Sequence, residues 1–517
     1  MKILVACPRN HVTGGVELLH QLCHELNKYP WIESLIWYPY IPMDGDDLTP
    51  QPKEYSEYGN KWVMTKNPEE GATLIFPEIW ANWTNYKEFE QYKKLIYWES
   101  VDNYLLNTHA EDALRFPSGI IHLAQSYYAE DFLKTVCKVP EENIIFVSDY
   151  LNESYLNADP NEERIKQVAY NPAKGNEFTQ KLITTMFDVD FVPIKDMSKE
   201  EVRDLLCESA VYIDFGNHPG KDRIPREAAI CGCCVITSKY GSAKYSQDVP
   251  IPECYKIDLD DEDALLNCER IIRDVLNHLD EHSAKFAPYR EQIRADREMF
   301  EQGVEKLANR LNAPKFSVII PAHNAEEHGL RAFQSIKSQT FSDFECIVVC
   351  DACSDKTEEL AKSFGFRTVS TDFWNDGLAR SKGIDLARGE WVMFMDDDDW
   401  WLHEYVLEML ADRLKGLECD VLCFSFIWKH VGYAEPLGNR GWPWPAVWNK
   451  VWRRDFIGDT RFPNIYSISD SFFHREMMGK NPRLAVWDMP FYYYNYLRIG
   501  SISEQTWKGE QNGNKGE

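Results

Sequence analysis

The sequence predicts a mixed α/β protein of several domains, and three observations carry that prediction. Short apolar runs of strand length alternate with helical patterns through most of the chain, which is typical of parallel sheets joined by helical crossovers. The 517 residues exceed the size of one compact core and indicate roughly two to four domains. A hydrophobic fraction of 44% and an aromatic fraction of 13% exclude a disordered or low-complexity chain.

Two passages resemble the first strand of a new α/β domain, at residues 2–7 and 316–320. Between them, residues 261–311 are charged and show helical periodicity, which predicts a helical tail and linker. Further strand-like runs lie at residues 73–76, 95–98, 120–124, 144–147, 168–170, 211–215 and 234–237. A polar, turn-forming break at residues 157–161 separates the earlier runs from the later ones.

These elements predict five segments along the chain. We expect two Rossmann-like halves facing each other across a cleft, because strands alternating with helices build parallel sheets with right-handed crossovers. The predicted segments are a first half at residues 1–157, a second half at 158–290, a helical linker at 291–313, a further α/β domain at 314–505 and a polar tail at 506–517.

The charge balance narrows the range of partners. The chain has 83 acidic and 56 basic residues, and its net charge of −27 disfavours nucleic acid as a partner. Small nucleotides stay compatible, since a divalent cation held by carboxylates can receive a pyrophosphate. We see no transmembrane run and no signal peptide, and therefore expect a cytoplasmic protein with reduced cysteines. Peripheral membrane contact and oligomer formation stay open.

The C-terminal segment predicts one site at the edge of a sheet. Apolar runs at residues 316–320, 345–350 and 391–395 each end in a polar loop, and ligands of open α/β sheets bind at such strand ends. Four consecutive aspartates at residues 396–399 repel one another, and a divalent cation removes that cost. Oxygen ligands favour Mg²⁺ or Mn²⁺ over zinc. A solvated acidic turn is the alternative, but the flanking apolar strand and tryptophans favour a buried, functional site.

Several short motifs follow one another in this segment. They lie at residues 318–324, 377–384, 396–399, 447–450, 469–470, 492–494 and 500–502. With these motifs in this order, residues 314–505 resemble a GT-A glycosyltransferase of family 2. The resemblance implies a nucleotide-sugar-dependent transferase that inverts the configuration of the transferred sugar.

The resemblance also assigns roles to single residues. Asp396 and Asp398 would hold Mn²⁺ or Mg²⁺, and Asp470 would be the catalytic base. The nucleotide pocket would contain Pro321, His323, Asp351 and Arg380. Two positions depart from the family pattern: Ser469 replaces a glutamate, and the loop at residues 350–353 lacks one carboxylate and a glycine.

The N-terminal segment contains a second set of motifs. Gly14 and Gly15 follow a strand and precede a helical run, an arrangement that can bind an anion. With residues 171–175 and 214–237, this segment is similar to retaining GT-B enzymes of family 4. The similarity implies nucleotide-binding roles for Gly14, Gly15, Lys174, Arg223 and Glu227. It also places a second glutamate where this chain has Pro219.

The predicted fold is thus α/β, a GT-B-like pair of Rossmann-like domains followed by a GT-A nucleotide-diphospho-sugar transferase domain. The predicted function is sugar transfer from a UDP- or GDP-linked donor to a glycan or lipid-linked acceptor, with two active modules in surface-polysaccharide assembly. The first alternative is a catalytic GT-A module with an N-terminal half that binds acceptor or acts as a scaffold. A non-catalytic sugar-binding protein and a transferase acting on modified DNA bases are further alternatives.

Overall fold

The structure, a computed structural model, describes residues 1–40, 50–107, 116–117, 119–158, 164–438, 441–465 and 468–496. The chain divides into two compact units, Met1–Leu311 and Asn312–Glu517. The predicted polar tail at residues 506–517, the motif at 500–502 and most of the break at 157–161 lie outside the described residues.

The first half of the N-terminal unit is built on a seven-stranded parallel sheet in the order β3-β2-β1-β4-β5-β6-β7. The strands are β1 (Lys2–Ala6), β2 (Glu33–Tyr38), β3 (Trp62–Met64), β4 (Thr73–Pro77), β5 (Lys93–Trp98), β6 (Ile121–Ala124) and β7 (Ile144–Phe146). The helices are α1 (Gly14–Leu26), α2 (Val101–Asn107), α3 (Tyr127–Thr135) and α4 (Glu153–Leu156). Every residue of β4 is buried, which explains the uninterrupted apolar run in the sequence.

The second half contains a five-stranded parallel sheet in the order β12-β11-β10-β8-β9. The strands are β8 (Ile165–Tyr170), β9 (Asp190–Pro193), β10 (Ser209–Asp214), β11 (Cys234–Ser238) and β12 (Lys256–Ile257). The helices are α5 (Asn176–Thr185), α6 (Lys199–Glu208), α7 (Arg223–Ile230), α8 (Ala264–Asn277), α9 (Leu279–Ala284) and α10 (Ala287–Leu311). Short 3₁₀ helices of the unit are Lys53–Tyr58, Glu78–Asn85, Lys87–Phe89, Glu141–Asn143, Gly241–Lys244 and Glu253–Tyr255.

Helix α10 differs from the helical linker predicted at residues 291–313. It packs against α1, α7 and β7. Phe300, Val304 and Leu307 are fully buried in the core of the first sheet. Residues 287–311 are therefore an integral part of the N-terminal unit, because their apolar face is covered by both of its halves.

The C-terminal unit is a mixed sheet in the order β15-β14-β13-β16-β20-β18-β21-β17, with β19 paired to β18. Its strands are β13 (Phe316–Ala322), β14 (Phe344–Asp351), β15 (Arg367–Thr371), β16 (Trp391–Phe394), β17 (Trp400–Trp401), β18 (Val421–Trp428), β19 (Gly432–Ala434), β20 (Lys450–Arg453) and β21 (Leu484–Tyr494). Its helices are α11 (Leu330–Lys337), α12 (Thr357–Ser363), α13 (Asp376–Leu386), α14 (Val406–Leu414), α15 (Arg454–Ile457) and α16 (Ser469–Gly479).

The first four strands in this order are parallel, and β20 then joins β16 in the antiparallel direction. None of the helices in the described part of the chain combines the length and the apolar composition that crossing a membrane requires.

Candidate functional site

The carboxyl ends of three neighbouring strands form the predicted C-terminal site. Strand β13 lies between β14 and β16, and the register pairs Ala322 with Cys350 and Ile319 with Phe394. The loops that follow these parallel strands therefore open at one edge of the sheet, where α/β sheets bind ligands. The predicted residues at this edge are Pro321, His323, Asp351, Asp396 and Asp398.

His323 links the loops at this edge. Its backbone N–H donates a hydrogen bond to Asp397 at 3.1 Å, and its Nδ1 lies 2.7 Å from the carbonyl oxygen of Asp351. Nε2 of His328 lies 3.3 Å from Asp397 on the same loop. His323 therefore joins the loops after β13, β14 and β16.

Asp399 anchors the aspartate loop to β21. Its carboxylate accepts hydrogen bonds from the hydroxyl of Tyr492 at 2.6 Å and from the backbone N–H of Asn495 at 2.7 Å. The side chain of Asn495 also donates to the carbonyl oxygen of Asp398 at 3.2 Å. Burial raises the pKa of Asp399 well above its usual value. Asp399 thus fixes the position of Asp398 rather than facing a ligand.

A buried arginine on α13 gathers three carboxylates. Arg380 is 4% exposed and pairs with Asp396 at 2.6 Å, with Asp470 at 3.1 Å and with Asp376. One guanidinium cannot neutralise three carboxylates, so the cluster has a formal charge of −2 when all are ionised. The structure therefore places Arg380 against the predicted metal ligand and the predicted base.

Asp376 is a member of this cluster that the sequence reasoning missed. It lies one helical turn before Arg380 on α13 and accepts a hydrogen bond from the Ser469 hydroxyl at 3.3 Å. A β-carbon on Gly377 would lie 2.8 Å from the β-carbon of Ser469. Small residues at both positions let α13 approach α16 closely. The i, i+4 spacing of Asp376 and Arg380 was the available indication.

Asp351 holds the loop after β15. Its carboxylate accepts hydrogen bonds from the hydroxyl of Thr371 at 2.8 Å and from the backbone N–H groups of Phe373 at 2.7 Å and Asn375 at 2.8 Å. Between them, Trp374 adopts φ 53° and is 68% exposed, with its ring centroid 5.4 Å from that of His323. Asp351 thus orders an exposed aromatic side chain beside the predicted nucleotide pocket.

Burial shifts the pKa values of Asp470 and Lys450, and the charge of Asp470 acts on Lys450. Burial raises the pKa of Asp470 to about 6, although Arg380 opposes the shift. It lowers the pKa of Lys450 to about 8. Lys450 donates hydrogen bonds to the carbonyl oxygens of Trp444 at 2.6 Å and Ala446 at 2.5 Å. A carboxylate whose pKa is raised accepts a proton more readily, as a general base requires.

Two sets of three side chains in the described residues could surround a metal ion. They are Asp214, His218 and Asp222 in the N-terminal unit, and Asp274, His278 and His282 at the α8–α9 junction. Neither set includes Asp396 or Asp398. The predicted metal pair thus supplies two carboxylates, a donor set that suits Mg²⁺ or Mn²⁺ when a substrate diphosphate completes the coordination.

The N-terminal unit contains a cavity of about 390 Å³. It is lined by residues that follow β1, β4, β5 and β6 of the first sheet and β8 and β10 of the second. The carboxyl edges of the two parallel sheets thus meet at one cavity, the expected position of a ligand site in such sheets.

Four of the five nucleotide-binding residues predicted in the N-terminal unit line the cavity, namely Gly14, Gly15, Lys174 and Arg223. Both cations are already paired with carboxylates. Nζ of Lys174 lies 2.6 Å from Asp222, and Nη1 of Arg223 lies 2.6 Å from Glu17.

Glu227 is the fifth predicted residue, and it is not among the residues that line the cavity in the described part of the chain. Burial raises its pKa to about 7. The charged groups that act on Glu227 include Arg223 and Arg226, and Arg223 itself lines the cavity.

Residues 317–474 match the family described as Glycosyl transferase family 2. The C-terminal unit therefore holds a glycosyltransferase family 2 domain, which confirms the predicted transferase at the level of this domain. The family match begins at residue 317 and does not include the N-terminal unit.

Several known proteins are similar in sequence to part of this chain. EpsH of Bacillus subtilis (strain 168) is 24% identical over 227 residues, which are 38% of this chain and 65% of EpsH. The glycosyltransferase GlyA of Streptococcus pneumoniae serotype 4 is 33% identical over 181 residues, 34% of this chain and 24% of GlyA. Poly(ribitol-phosphate) beta-N-acetylglucosaminyltransferase TarS of Staphylococcus aureus (strain MW2) is 25% identical over 208 residues, 36% of each chain. Each match spans less than two thirds of the relative.

The crystal structure of S. aureus TarS 1-349 in complex with UDP-GlcNAc has a TM-score of 0.34 and 24% identity with this chain. It covers 37% of this chain and 60% of that one.

Proposed function

We propose that the C-terminal unit transfers a sugar from a nucleotide-sugar donor to a hydroxyl group of a glycan acceptor. The observation that carries the proposal is the cluster of three carboxylates around Arg380 at the strand ends of a family 2 domain. Its excess of two negative charges suits a divalent cation, and Asp470, one of the three carboxylates, would be the base.

Asp396 and Asp398 would hold the cation, Mn²⁺ or Mg²⁺. Their carboxylate oxygens are the ligands these ions prefer, and Oδ1 of Asp376 beside them is buried without a hydrogen-bond partner in the described residues. When bound, such an ion neutralises charge on a departing diphosphate. Arg380 fixes the carboxylate of Asp396 from the protein side at 2.6 Å.

Asp470 would be the general base. It takes the proton of the acceptor hydroxyl, whose oxygen forms a bond to the anomeric carbon while the bond from that carbon to the nucleoside diphosphate breaks. A single displacement of this kind inverts the anomeric configuration. Arg380 lies 3.1 Å from Asp470, and its positive charge favours the ionised form of this carboxylate.

The donor pocket would lie beside Pro321, His323 and Asp351. Because the Asp351 carboxylate already accepts three hydrogen bonds, we propose that it acts on the nucleotide through the loop that carries Trp374. We propose a UDP- or GDP-linked sugar as the donor. Relatives named for poly(ribitol-phosphate) glycosylation and for amylovoran biosynthesis support an acceptor in a surface polysaccharide.

The experiment is nucleoside-diphosphate release from a panel of UDP- and GDP-sugars with Mn²⁺ or Mg²⁺. We expect release with one donor that falls at least a hundredfold in Asp398→Ala and on chelation, while the exposed Asp412→Ala control keeps the wild-type rate. Release that survives both treatments would contradict the assignment to the C-terminal unit. A panel without release is repeated with acceptor glycans present.

We further propose that the N-terminal unit, as a GT-B-like pair of domains, binds the acceptor. One observation favours acceptor over donor: Lys174 and Arg223, the cations that a nucleotide diphosphate needs, each pair with a carboxylate of the protein. A second catalytic module would instead release nucleoside diphosphate in the Asp398→Ala variant. The same assay therefore separates acceptor binding from a bifunctional enzyme.

A further inference from the structure

Two glutamates line the N-terminal cavity at the ends of neighbouring strands. Glu78 follows β4 and Glu99 follows β5, and the register of these strands pairs Pro77 with Tyr97. The backbone N–H of Glu99 donates a hydrogen bond to Oε2 of Glu78 at 3.2 Å. The carboxyl group of Glu78 therefore lies against the backbone of Glu99, and both residues line the cavity.

Burial favours the protonated form of both glutamates. Burial raises the pKa of Glu78 to about 8. Burial also raises the pKa of Glu99 well above its usual value, and the negative charges nearby add to this shift. The titratable groups that face Glu99 are Glu78, Asp149, Arg223, Cys7 and Tyr97. Arg223 alone opposes the shift, and it is shared with Asp149 and Glu17.

Glu99 has unused hydrogen-bonding capacity. Its Oε1 is buried and has no hydrogen-bond partner among the described residues. A protonated carboxyl group both donates and accepts hydrogen bonds, as a hydroxyl group does. Buried polar atoms without partners are rare in native structures and often mark a ligand site.

Glu99 also lies beside Gly15, at the loop that the sequence predicts to bind an anion. A β-carbon on Gly15 would lie only 2.2 Å from Oε2 of Glu99, so this carboxyl group packs against the first turn of α1. A phosphate at that helix end would meet the carboxyl group of Glu99 instead of open space. This end of the cavity therefore disfavours an anion.

We propose that the Glu78–Glu99 end of the N-terminal cavity binds the hydroxyl groups of a neutral saccharide, with Glu99 in direct contact with the sugar. The cavity of about 390 Å³ falls within the size range of small-ligand pockets, about 300–1,000 Å³. The inference deepens the proposed acceptor-binding role of this half and rests on it.

The test uses the full chain and saturation-transfer NMR with methyl glycosides of glucose, galactose, mannose and N-acetylglucosamine. We expect at least one glycoside to bind the wild type and the Asp398→Ala variant equally. Its Kd rises roughly tenfold or more in Glu99→Leu, which removes the hydrogen bonds, and stays near wild type in Glu99→Gln, which keeps a donor and an acceptor.

A second variant covers the case in which Glu99→Leu does not fold. Gly15→Ala pushes against the flexible end of the Glu99 side chain, so it moves the carboxyl group without disturbing the backbone, and it also weakens binding. Asp248→Asn is the matched control, because Asp248 is a buried carboxyl of the same unit that does not line the cavity.

Three results would overturn the inference: no binding by any of the four glycosides, unchanged binding in Glu99→Leu and Gly15→Ala, or loss of binding in Asp398→Ala. None of them affects nucleoside-diphosphate release by the wild type, which tests the proposed transferase separately.

Discussion

Two buried arginines, Arg226 in the N-terminal unit and Arg380 in the C-terminal unit, lie in clusters that differ in their balance of positive and negative charges. Around Arg226, three largely buried cations meet three buried carboxylates; the ion pairs join Lys221, Arg223 and Arg226 to Glu17, Asp149 and Asp296. The exposed Lys199 also lies 3.6 Å from Glu17. Around Arg380, one cation meets three carboxylates.

The different charge balance of the two clusters is visible in the pKa values of their carboxyl groups. Burial alone would raise the pKa of Asp149, but Arg226, Arg223 and Lys221 outweigh it and lower the pKa. The pKa of Asp470 is instead raised to about 6, because one shared arginine does not offset burial and two neighbouring carboxylates. A balanced cluster stabilises the fold, whereas an unbalanced one retains the capacity to bind a cation and a proton.

The largest expected effect is on catalysis in the unbalanced cluster. Asp470→Asn removes the base while keeping the shape of the side chain, and we expect kcat to fall by roughly 10²–10⁴-fold. The measurement is steady-state turnover with the donor identified by nucleoside-diphosphate release. Asp412→Asn, an exposed aspartate of the same unit, should keep the wild-type kcat. A kcat for Asp470→Asn close to the wild-type value would exclude Asp470 as the base.

The next effect is on stability in the balanced cluster. Arg226→Met leaves Asp149 and Asp296 buried with fewer partners, and we expect the free energy of unfolding of the N-terminal unit to drop by about 3–5 kcal/mol. Urea denaturation monitored by fluorescence measures the change. Arg297→Met, whose partners Glu153 and Glu301 are exposed, should cost less than about 1 kcal/mol. Equal effects of the two variants would show that the balanced cluster is not a source of stability.

The smallest expected effect is the pH dependence of stability that Glu78, one of the two glutamates in the N-terminal cavity, contributes. Because the pKa of Glu78 rises from 4.5 in the unfolded chain to about 8 on folding, the folded state binds the extra proton between these values. The stabilisation that this proton gives the folded state is complete below about pH 4.5 and is lost as the pH rises towards 8. Between pH 5 and pH 8 we expect the free energy of unfolding to fall less in Glu78→Gln than in the wild type, by up to a few kcal/mol, since one pKa unit corresponds to about 1.4 kcal/mol.

Urea denaturation at pH 5 and pH 8 provides the comparison, with the exposed Glu54→Gln as its control. A decline of the same size in wild type and Glu78→Gln would mean that Glu78 is ionised in the folded protein.

Much of the C-terminal site was accessible from the sequence. The apolar runs before Asp351 and Asp396 are buried strands, and the polar residues after them lie at one sheet edge. Such runs are local features, and parallel pairing then brings their ends together. The same reasoning did not assign Asp376 a role, because its contact with Ser469 joins residues 93 positions apart.

The N-terminal half shows the same limit more clearly. The sequence predicts the Gly14–Gly15 loop and the strands β4 and β5, but it does not show that Glu99 stands in front of Gly15. Glu227 satisfies the motif by spacing, yet it lies outside the lining of the cavity. A motif records the order of residues along the chain, whereas the direction of a side chain depends on how the helix packs.

The sequence by itself determined the alternation of strands and helices, the family 2 domain and the residues at its strand ends, because these depend on periodicity and on motifs of a few neighbouring residues. Only the tertiary structure decided which charged and titratable groups meet: three carboxylates on Arg380, ion pairs around Arg226, and two neighbouring glutamates in the cavity. Coulomb interactions and desolvation depend on distances between side chains that are remote along the chain, and those distances are set by the packing of the folded units.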